Sequence, residues 1–570
     1  MDKKYFYKRN PIVGKIFMTM LIPTILMNLT TALASFADTI IIGYFLDDLA
    51  LSVVTFATPI YMIINTFGAL YAVGGSIAMG IDSGKGDKKA ANKVFSISVE
   101  LIVLTGLILV ALGIFFGKQI TTLLGAGADV FDMVYTYSMI IMFGAPVFML
   151  NIALAFFVRN DGRPNLSMIG MFLSIAVNIV FDIIFIGLFD MGIAGAAYAT
   201  VLGQLVSALV IAGHFFTKKN TLRFSFAADG TIFRIIRNGV STALHFVYQF
   251  LSILILNHLV VALAGTDGVV VYTVVFNLYS VSLALFEGLS QTIQPMISVY
   301  YGEKSNRKIK NTLWYAFIAT LILCGSVTLI LELVPQVIPY IFGISDGALM
   351  AQAAMAVRIY ATSMIIMTLN VIIGYYLQSI EVNSMAAILV SLRCCILFLG
   401  SAFALGALFG MNGIWAAYTL AEVLTFIVFV FMTAARRRKL RKAGIDADVF
   451  LLDKNIENNT KCYTASADED MDEFVKYVSA EIEENSMVSE AVCKDAKAYL
   501  ECIEGFCKGK KGYADVEVIG TDGKVIVRDN FIHSFCGTEI EDKLNNGSQK
   551  EYGAVLGWNR ICLEGEEYEE

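Results

Sequence analysis

Twelve apolar stretches, each about twenty residues long, fill positions 15 to 433, and they leave few folds open to this chain. Each can cross about 30 Å of hydrocarbon as a helix. Lipid supplies no partners for backbone N–H and C=O groups, so the spans must satisfy their own hydrogen bonds. The expected fold is therefore an all-α polytopic membrane protein. Composition agrees, because 57% apolar and 16% charged residues, with a mean hydropathy of +0.68, exceed what a soluble core of this length needs. No secretory signal peptide is expected, since the first span is too long and no small-residue cleavage site follows it.

The first six spans fall at about 15–42, 51–79, 95–117, 133–157, 166–189 and 192–216. The second six fall at about 240–263, 270–300, 312–334, 355–378, 385–408 and 413–434. Inner loops collect Lys and Arg during insertion. With the N-terminus inside, the inner segments up to Lys442 carry 26 basic residues and the outer loops only Lys118. Both termini are thus expected in the cytoplasm, under a plasma membrane. Acids such as Asp47, Asp48, Asp267 and Asp346 lie outside, and the basic run Arg436 to Lys442 reads as a stop-transfer anchor against anionic lipid.

The spans are duplicated at an offset near 220 residues. Ala196, Ala197, Tyr198 recur as Ala416, Ala417, Tyr418, and the loop from Ser83 to Lys89 is echoed from Tyr301 to Arg307. Six spans per repeat bring each half back to its starting side. The twelve helices should thus form two six-helix lobes related by a pseudo-two-fold axis along the membrane normal. The division is 1–220 for the N-terminal lobe, 221–443 for the C-terminal lobe and 444–570 for a separate cytosolic α+β domain. That last segment is acidic, with 13 basic and 29 acidic residues against 29 and 20 before it.

Asp38 and Asp182 stand out because an acid in mid-bilayer costs at least ~2.5 kcal/mol and is seldom kept without a use. Low dielectric favours a neutral acid, so a lone one can carry a proton near neutrality, whereas a pair with amide and hydroxyl oxygens can cage Na+. Other polar residues recur at helical spacing. Span one carries Asn28, Thr31, Ser35 and Asp38 after Pro23, which bends or loosens the helix. Span five has Ser174, Asn178 and Asp182; span six Thr200, Gln204 and Ser207; span eight Asn277, Ser280, Glu287, Gln291 and Gln294. Such stripes line a cavity, or glue helices together. Arg358 and Arg393 either pair with Glu287 or Glu381, meet an anionic substrate, or snorkel to the interface. His214, His245 and His258 have no acid or Cys at ligand spacing and read as packing. No P-loop is present, since Gly84, Lys85, Gly86 lacks the required spacing, and neither an enzyme nor a nucleic-acid binder is indicated.

These residues resemble the multidrug and toxic compound extrusion (MATE) transporters, in particular their DNA-damage-inducible (DinF-like) bacterial branch. The likeness covers about residues 10–435 through Ala37–Gly43, Asn178–Asp182, Gly195–Thr200, Gln294–Ser298 and Tyr301–Gly302. The resemblance implies exchange of an exported compound, often an aromatic cation, for H+ or Na+, without another cofactor. It implies that Asp38 and Asp182 bind the coupling ion, that Asn178 and Thr200 complete the site, and that Pro23 lets span one change shape. Asn28, Thr31, Ser35, Gln204, Asn277, Glu287, Gln291 and Gln294 are the expected substrate cavity. Spans seven and ten carry no carboxylate, so branches that couple through the C-terminal lobe are a poor guide, and Glu287 is the local substitute there. The expected function is antiport of amphipathic, cationic small molecules or drugs out of the cell by a monomer embedded in lipid. Export or flipping of lipid-linked or peptide-like substrates is the alternative, as is a membrane-anchored regulator acting through a cytosolic protein partner of 444–570.

The C-terminal domain is expected to place helices at about 469–485 and 489–507 before a hairpin around Thr521, Asp522, Gly523. Residues 460–565 resemble an anti-sigma-type, histidine-kinase-like ATPase fold. The second helix lacks the magnesium-holding asparagine, however, and Asp529, Asn530, Phe531 stand where a DxGxG box belongs, so ATP hydrolysis is not expected. A nucleotide sensor, a stabilising cap and a docking module remain, with docking favoured. Its six cysteines have no CxxC pair and read as reduced thiols.

Overall fold

The structure is a computed structural model that describes residues 10–565 apart from 47, 219, 226–229, 343, 345–346, 468, 508–511, 532–543 and 545; the side chains of 35, 36, 39, 48, 51, 266 and 267 also lie outside the description. Among the described residues, eleven helices are long and apolar enough to cross a membrane, or twelve when one bent pair is counted as a span. The first six are α1 (Pro11–Phe45), α2 (Asp48–Lys85), α3 (Lys88–Leu123), α4 (Phe131–Asn160), α5 (Pro164–Asp182) and α6 (Gly192–Ala212). A π-helical segment, Ile183–Leu188, continues α5 directly after Asp182. α7 (Thr231–Gly302) holds two spans, which turn at Gly265 with φ of 58°, a left-handed conformation that favours glycine. Then come α8 (Asn306–Leu333), the short α9 (Val337–Ile341), the pair α10 (Gly347–Ala361) and α11 (Met364–Ser379) bent by 43°, α12 (Asn383–Ser391), a second π segment Leu392–Ile396, α13 (Leu397–Phe409) and α14 (Met411–Lys442). The helices outrun the apolar stretches because their ends carry charged turns that reach past the hydrocarbon.

α1 begins with a cap: the Asn10 side chain accepts from the backbone N–H of Ile12 at 2.9 Å, and Pro11 occupies the first turn, where no N–H is needed. The helix runs unbroken through Pro23, which cannot donate to the carbonyl of Thr19. Its first half packs on the C-terminal lobe, Ile16, Phe17 and Met20 against Ile293, Ile297 and Ile309. Its far end reaches α5 of the N-terminal lobe.

Small residues bring the lobes together at one end. A Cβ on Gly74 would lie 2.0 Å from the Ile235 carbonyl oxygen, and one on Gly302 2.1 Å from that of Ile81. Glycine alone permits such backbone approach between helices, the small-residue packing that holds spans together where lipid removes the hydrophobic drive. The two lobes are thus sealed beside the echoed loops 83–89 and 301–307.

Under that end sits the C-terminal domain. A five-stranded antiparallel sheet has the order β1-β2-β3-β5-β4, with β1 (Thr460–Ser466), β2 (Tyr513–Ile519), β3 (Lys524–Asp529), β4 (Gln549–Val555) and β5 (Trp558–Glu564). Helices α16 (Met471–Glu483) and α17 (Glu490–Cys507) follow the short α15 (Lys454–Asn458) and cover one sheet face, on which Val516, Val518, Val525 and Val527 are buried. Side chains alternate along a strand, so Asp515, Glu517, Arg528 and Arg560 point to the other face. A charged face would ordinarily be solvated, yet these four are 0–1% exposed. They lie against the membrane bundle. Lys308 binds Asp515 at 2.7 Å and Glu517 at 2.8 Å, Arg528 and Arg560 both meet Glu303, and Asn10 donates to Asp515 at 2.8 Å. On the N-terminal lobe, Arg560 donates to the Ser83 carbonyl at 2.7 Å and Lys88 to that of Tyr552. The domain therefore spans both lobes. All described cysteines are free.

Candidate functional site

α5 shows why the acids meet. Its buried residues are Pro164, Ser167, Gly170, Ser174, Asn178 and Asp182, three or four apart, so its entire polar stripe turns inward. Gly203 of α6 admits this face closely, since a Cβ there would lie 2.6 Å from the Ser174 carbonyl oxygen. Asp182, 1% exposed, faces Asp38 of α1, and Asp38 is within side-chain hydrogen-bonding reach of both Asp182 and Asn178. Asn178 donates to the Thr200 hydroxyl at 3.4 Å. The four residues that the resemblance assigns to coupling thus share one site in the N-terminal lobe.

Two carboxylates side by side need positive charge between them, as a shared proton or a cation. Among the described residues none of the buried oxygens Asp38 Oδ1, Asp182 Oδ1 and Asp182 Oδ2 has a hydrogen-bond partner. Nearby stand two tyrosines that sequence reasoning missed: Tyr61 and Tyr137 share a hydrogen bond of 3.1 Å, and Tyr61 also reaches Thr200. Tyr137 is hidden in a run of hydroxyl residues, Tyr135 to Ser138, whereas Tyr61 shares a helical stripe with Thr58 and Asn65, a signal that could have found it. The π segment just after Asp182 widens a turn, as such insertions do beside functional groups.

The residues of the expected substrate cavity make different sets of hydrogen bonds. Asn28, Gln291 and Gln294 gather where the lobes meet: Asn28 and Gln291 exchange hydrogen bonds of 3.3 Å, and Gln294 donates to Ser76 at 3.0 Å. Arg159 completes this cluster by donating to Gln291 at 3.1 Å and Gln294 at 3.5 Å. It too was missed, because a basic residue ending span four reads as an inner-loop charge. Gln204 accepts instead from Asn151 at 2.6 Å within the N-terminal lobe. Thr31 and Asn277 bond to carbonyls of their own helices, and the Ser35 side chain lies outside the described residues.

Glu287, one turn before Gln291 on the same helix, lies 3.6 Å from His245 Nε2 in the C-terminal lobe, and Tyr375 stands between it and the Gln291–Arg159 cluster. Of the alternatives for Arg393, pairing with Glu287 or Glu381 gives way to a different partner: Arg393 binds Glu422 of α14 at 3.1 Å, and Asn370 donates to Glu422 at 2.7 Å. Glu422 is a mid-span acid that the rule singling out Asp38 and Asp182 could have found. Glu381 holds Arg234 at 2.6 Å. Arg358, half exposed, reaches Glu332 at 3.6 Å, away from every site above. The histidines do more than pack: His214 meets Asp161 at 2.6 Å, and His245 also contacts Cys394 at 3.4 Å.

In the C-terminal domain, the Asp529 carboxylate accepts from the Tyr499 hydroxyl at 2.7 Å and the Phe531 N–H at 2.8 Å.

The family model MatE matches residues 23–184 and again 239–404, one match per lobe. The multidrug export protein MepA of Staphylococcus saprophyticus is 24% identical over 443 residues, covering 77% of this chain and 97% of that protein. A crystal structure of a MATE protein in complex with MaL6 superposes with a TM-score of 0.71 at 22% identity, over 75% of this chain and 97% of the other. An outward-facing multidrug resistance MATE transporter superposes at 0.70 with 23% identity and the same coverage.

Proposed function

The chain belongs to the MatE family, and on that premise we propose that it exports amphipathic, cationic small molecules in exchange for H+ or Na+ taken up at Asp38 and Asp182. The carrying observation is the acid pair itself, buried side by side with oxygens that lack partners. Asn178 and Thr200 supply further oxygens for a cation, and Tyr61 and Tyr137 bound the site. Ion arrival halves the charge of the pair and relieves its repulsion, and ion loss restores that repulsion between α1 and α5. α1 carries that change toward the lobe junction, because the same helix bears Asn28. In this reading both termini are cytoplasmic, and the glycine-sealed end faces the cytosol.

The test is efflux of a fluorescent aromatic cation from proteoliposomes under an imposed H+ or Na+ gradient. Gradient-driven efflux names the ion. No efflux under either gradient rejects cationic export. It would favour the second reading, a lipid-linked or peptide-like substrate, for which Arg159 at the lobe junction is the supporting cation.

The C-terminal domain acts in this reading as a latch across the sealed end. Lobes that alternate must part there, and parting exposes Lys308, Asp515, Glu517, Glu303, Arg528 and Arg560, whose pairs lose their mutual attraction. Efflux by a chain truncated after residue 443 tests this: a changed rate supports the latch, and an unchanged rate removes it.

A further inference from the structure

Between the bundle and its docked domain lies a cavity of about 770 Å3, walled by Lys85 of the N-terminal lobe, Arg237, Tyr301 and Arg436 of the C-terminal lobe, and Asp522 and Lys524 of the domain. Its acids are mostly engaged. Glu303 is held by Arg528 and Arg560, Glu381 by Arg234, Asp522 by Lys304 at 2.7 Å, and Glu564 by Lys524 at 3.0 Å. Asp453 caps α15 through the Asn455 N–H. Three cations are left over. Arg237 lies near Glu381 but, like Arg436, makes no direct ion pair among the described residues; the Arg436 Nε is buried without a partner, and Lys85 reaches only Asp82 at 3.9 Å, whose two oxygens Arg234 already binds at 2.8 Å.

We propose that this cavity binds a compact phosphorylated anion from the cytosolic side, held by Arg237, Arg436 and Lys85. Guanidinium forks match phosphate oxygens in pairs, and a lysine adds a point charge. The volume suits a small organic phosphate. Because the three cations come from both lobes and the roof comes from the domain, the bound anion favours the docked arrangement; the proposal rests on the latch reading for that consequence, but not for binding. A free phosphate ester and a phospholipid headgroup share this chemistry.

The test uses the full chain in neutral phosphatidylcholine nanodiscs, with radiolabelled pyrophosphate in equilibrium dialysis. The comparison is the double variant Arg237→Gln, Arg436→Gln, with Lys439→Gln, Arg441→Gln as a charge-matched control on the same basic run outside the cavity. Saturable binding by the wild type and the control, weakened at least about tenfold in the cavity variant, is expected, since the variant loses two guanidinium groups that donate charge-assisted hydrogen bonds to the anion. If pyrophosphate fails to bind but phosphatidylglycerol nanodiscs raise the thermal midpoint of the wild type and control alone, a headgroup is the occupant and the site stands. Equal behaviour of all three proteins with both probes overturns it. The latch is judged separately, by the efflux rate of the truncated chain, so loss of one reading leaves the other intact.

Discussion

The two lobes are repeats of one helical plan, yet their buried charges are arranged in opposite ways. In the N-terminal lobe Asp38 faces Asp182, and oxygens of both lack partners among the described residues. In the C-terminal lobe Glu422 is matched by Arg393 and Asn370, while Glu287 stands 3.6 Å from His245 Nε2, which has no hydrogen-bond partner among the described residues. A self-neutralised pair has little to gain from an ion, whereas an unmatched acid pair needs one. The MatE model matches both halves, so the scaffold is shared while the unpartnered acid pair belongs to one half, where the proposed exchange would take up its cation. The same contrast separates binding from rigidity: the matched lobe is held by its charges, the unmatched one is strained by them.

Four substitutions probe the contrast, from the largest effect to the smallest. Asp182→Asn should reduce gradient-driven efflux to that of empty vesicles while leaving the thermal midpoint equal or higher, because it removes like-charge repulsion. Arg393→Met should do the reverse to stability, costing about 3–5 kcal/mol by stranding Glu422; a lowered midpoint partly restored by adding Glu422→Gln would support the matched-pair account. Lys308→Met should undock the C-terminal domain through the same stranding of Asp515 and Glu517, read as faster proteolysis between residues 443 and 460. Thr200→Val should weaken coupling-ion affinity only about fivefold, the loss of one neutral ligand of about 1 kcal/mol. Should Thr200→Val instead match Asp182→Asn, the acid pair would not be the dominant ligand.

Docking should also have a pH signature. Burial alone would raise the Asp515 carboxyl, but Lys308 beside it wins and holds it below its ordinary 3.8. A depressed acid contributes stability above its unfolded value and loses it as pH falls through the folded one. Protease resistance of the docked domain should therefore persist through the neutral range and decline only below about pH 4. Decline already between pH 7 and 5 would show that a different group controls docking.

Helical phase made the α5 stripe legible, because burial follows the face and Ser174, Asn178 and Asp182 share it. Phase does not say which neighbour a face meets or at what depth, so the stripes did not reveal that Asn28 and Gln291 pair across the lobes or that Gln204 pairs with Asn151 within one lobe. Arg159 and Lys308 were invisible for a common reason: a cation at a span end normally meets water or lipid headgroups, and only tertiary packing turns it inward. The excess acid of 444–570 and the excess base of the spans were legible as totals, and Lys304, Lys308 and Lys310 meeting Asp522, Asp515 and Asp448 show where they balance. Strand alternation in β2 was also readable, but a charged face looks solvated until the surface that covers it is known.

The most direct test of the lobe contrast is ion-gradient-driven efflux of one aromatic cation by the intact chain, Asp38→Asn and Glu422→Gln in matched proteoliposomes. The asymmetry predicts that Asp38→Asn abolishes the gradient response and that Glu422→Gln retains it at matched amounts of folded protein. Full response in Asp38→Asn, with loss in Glu422→Gln, would place coupling in the C-terminal lobe and contradict the account.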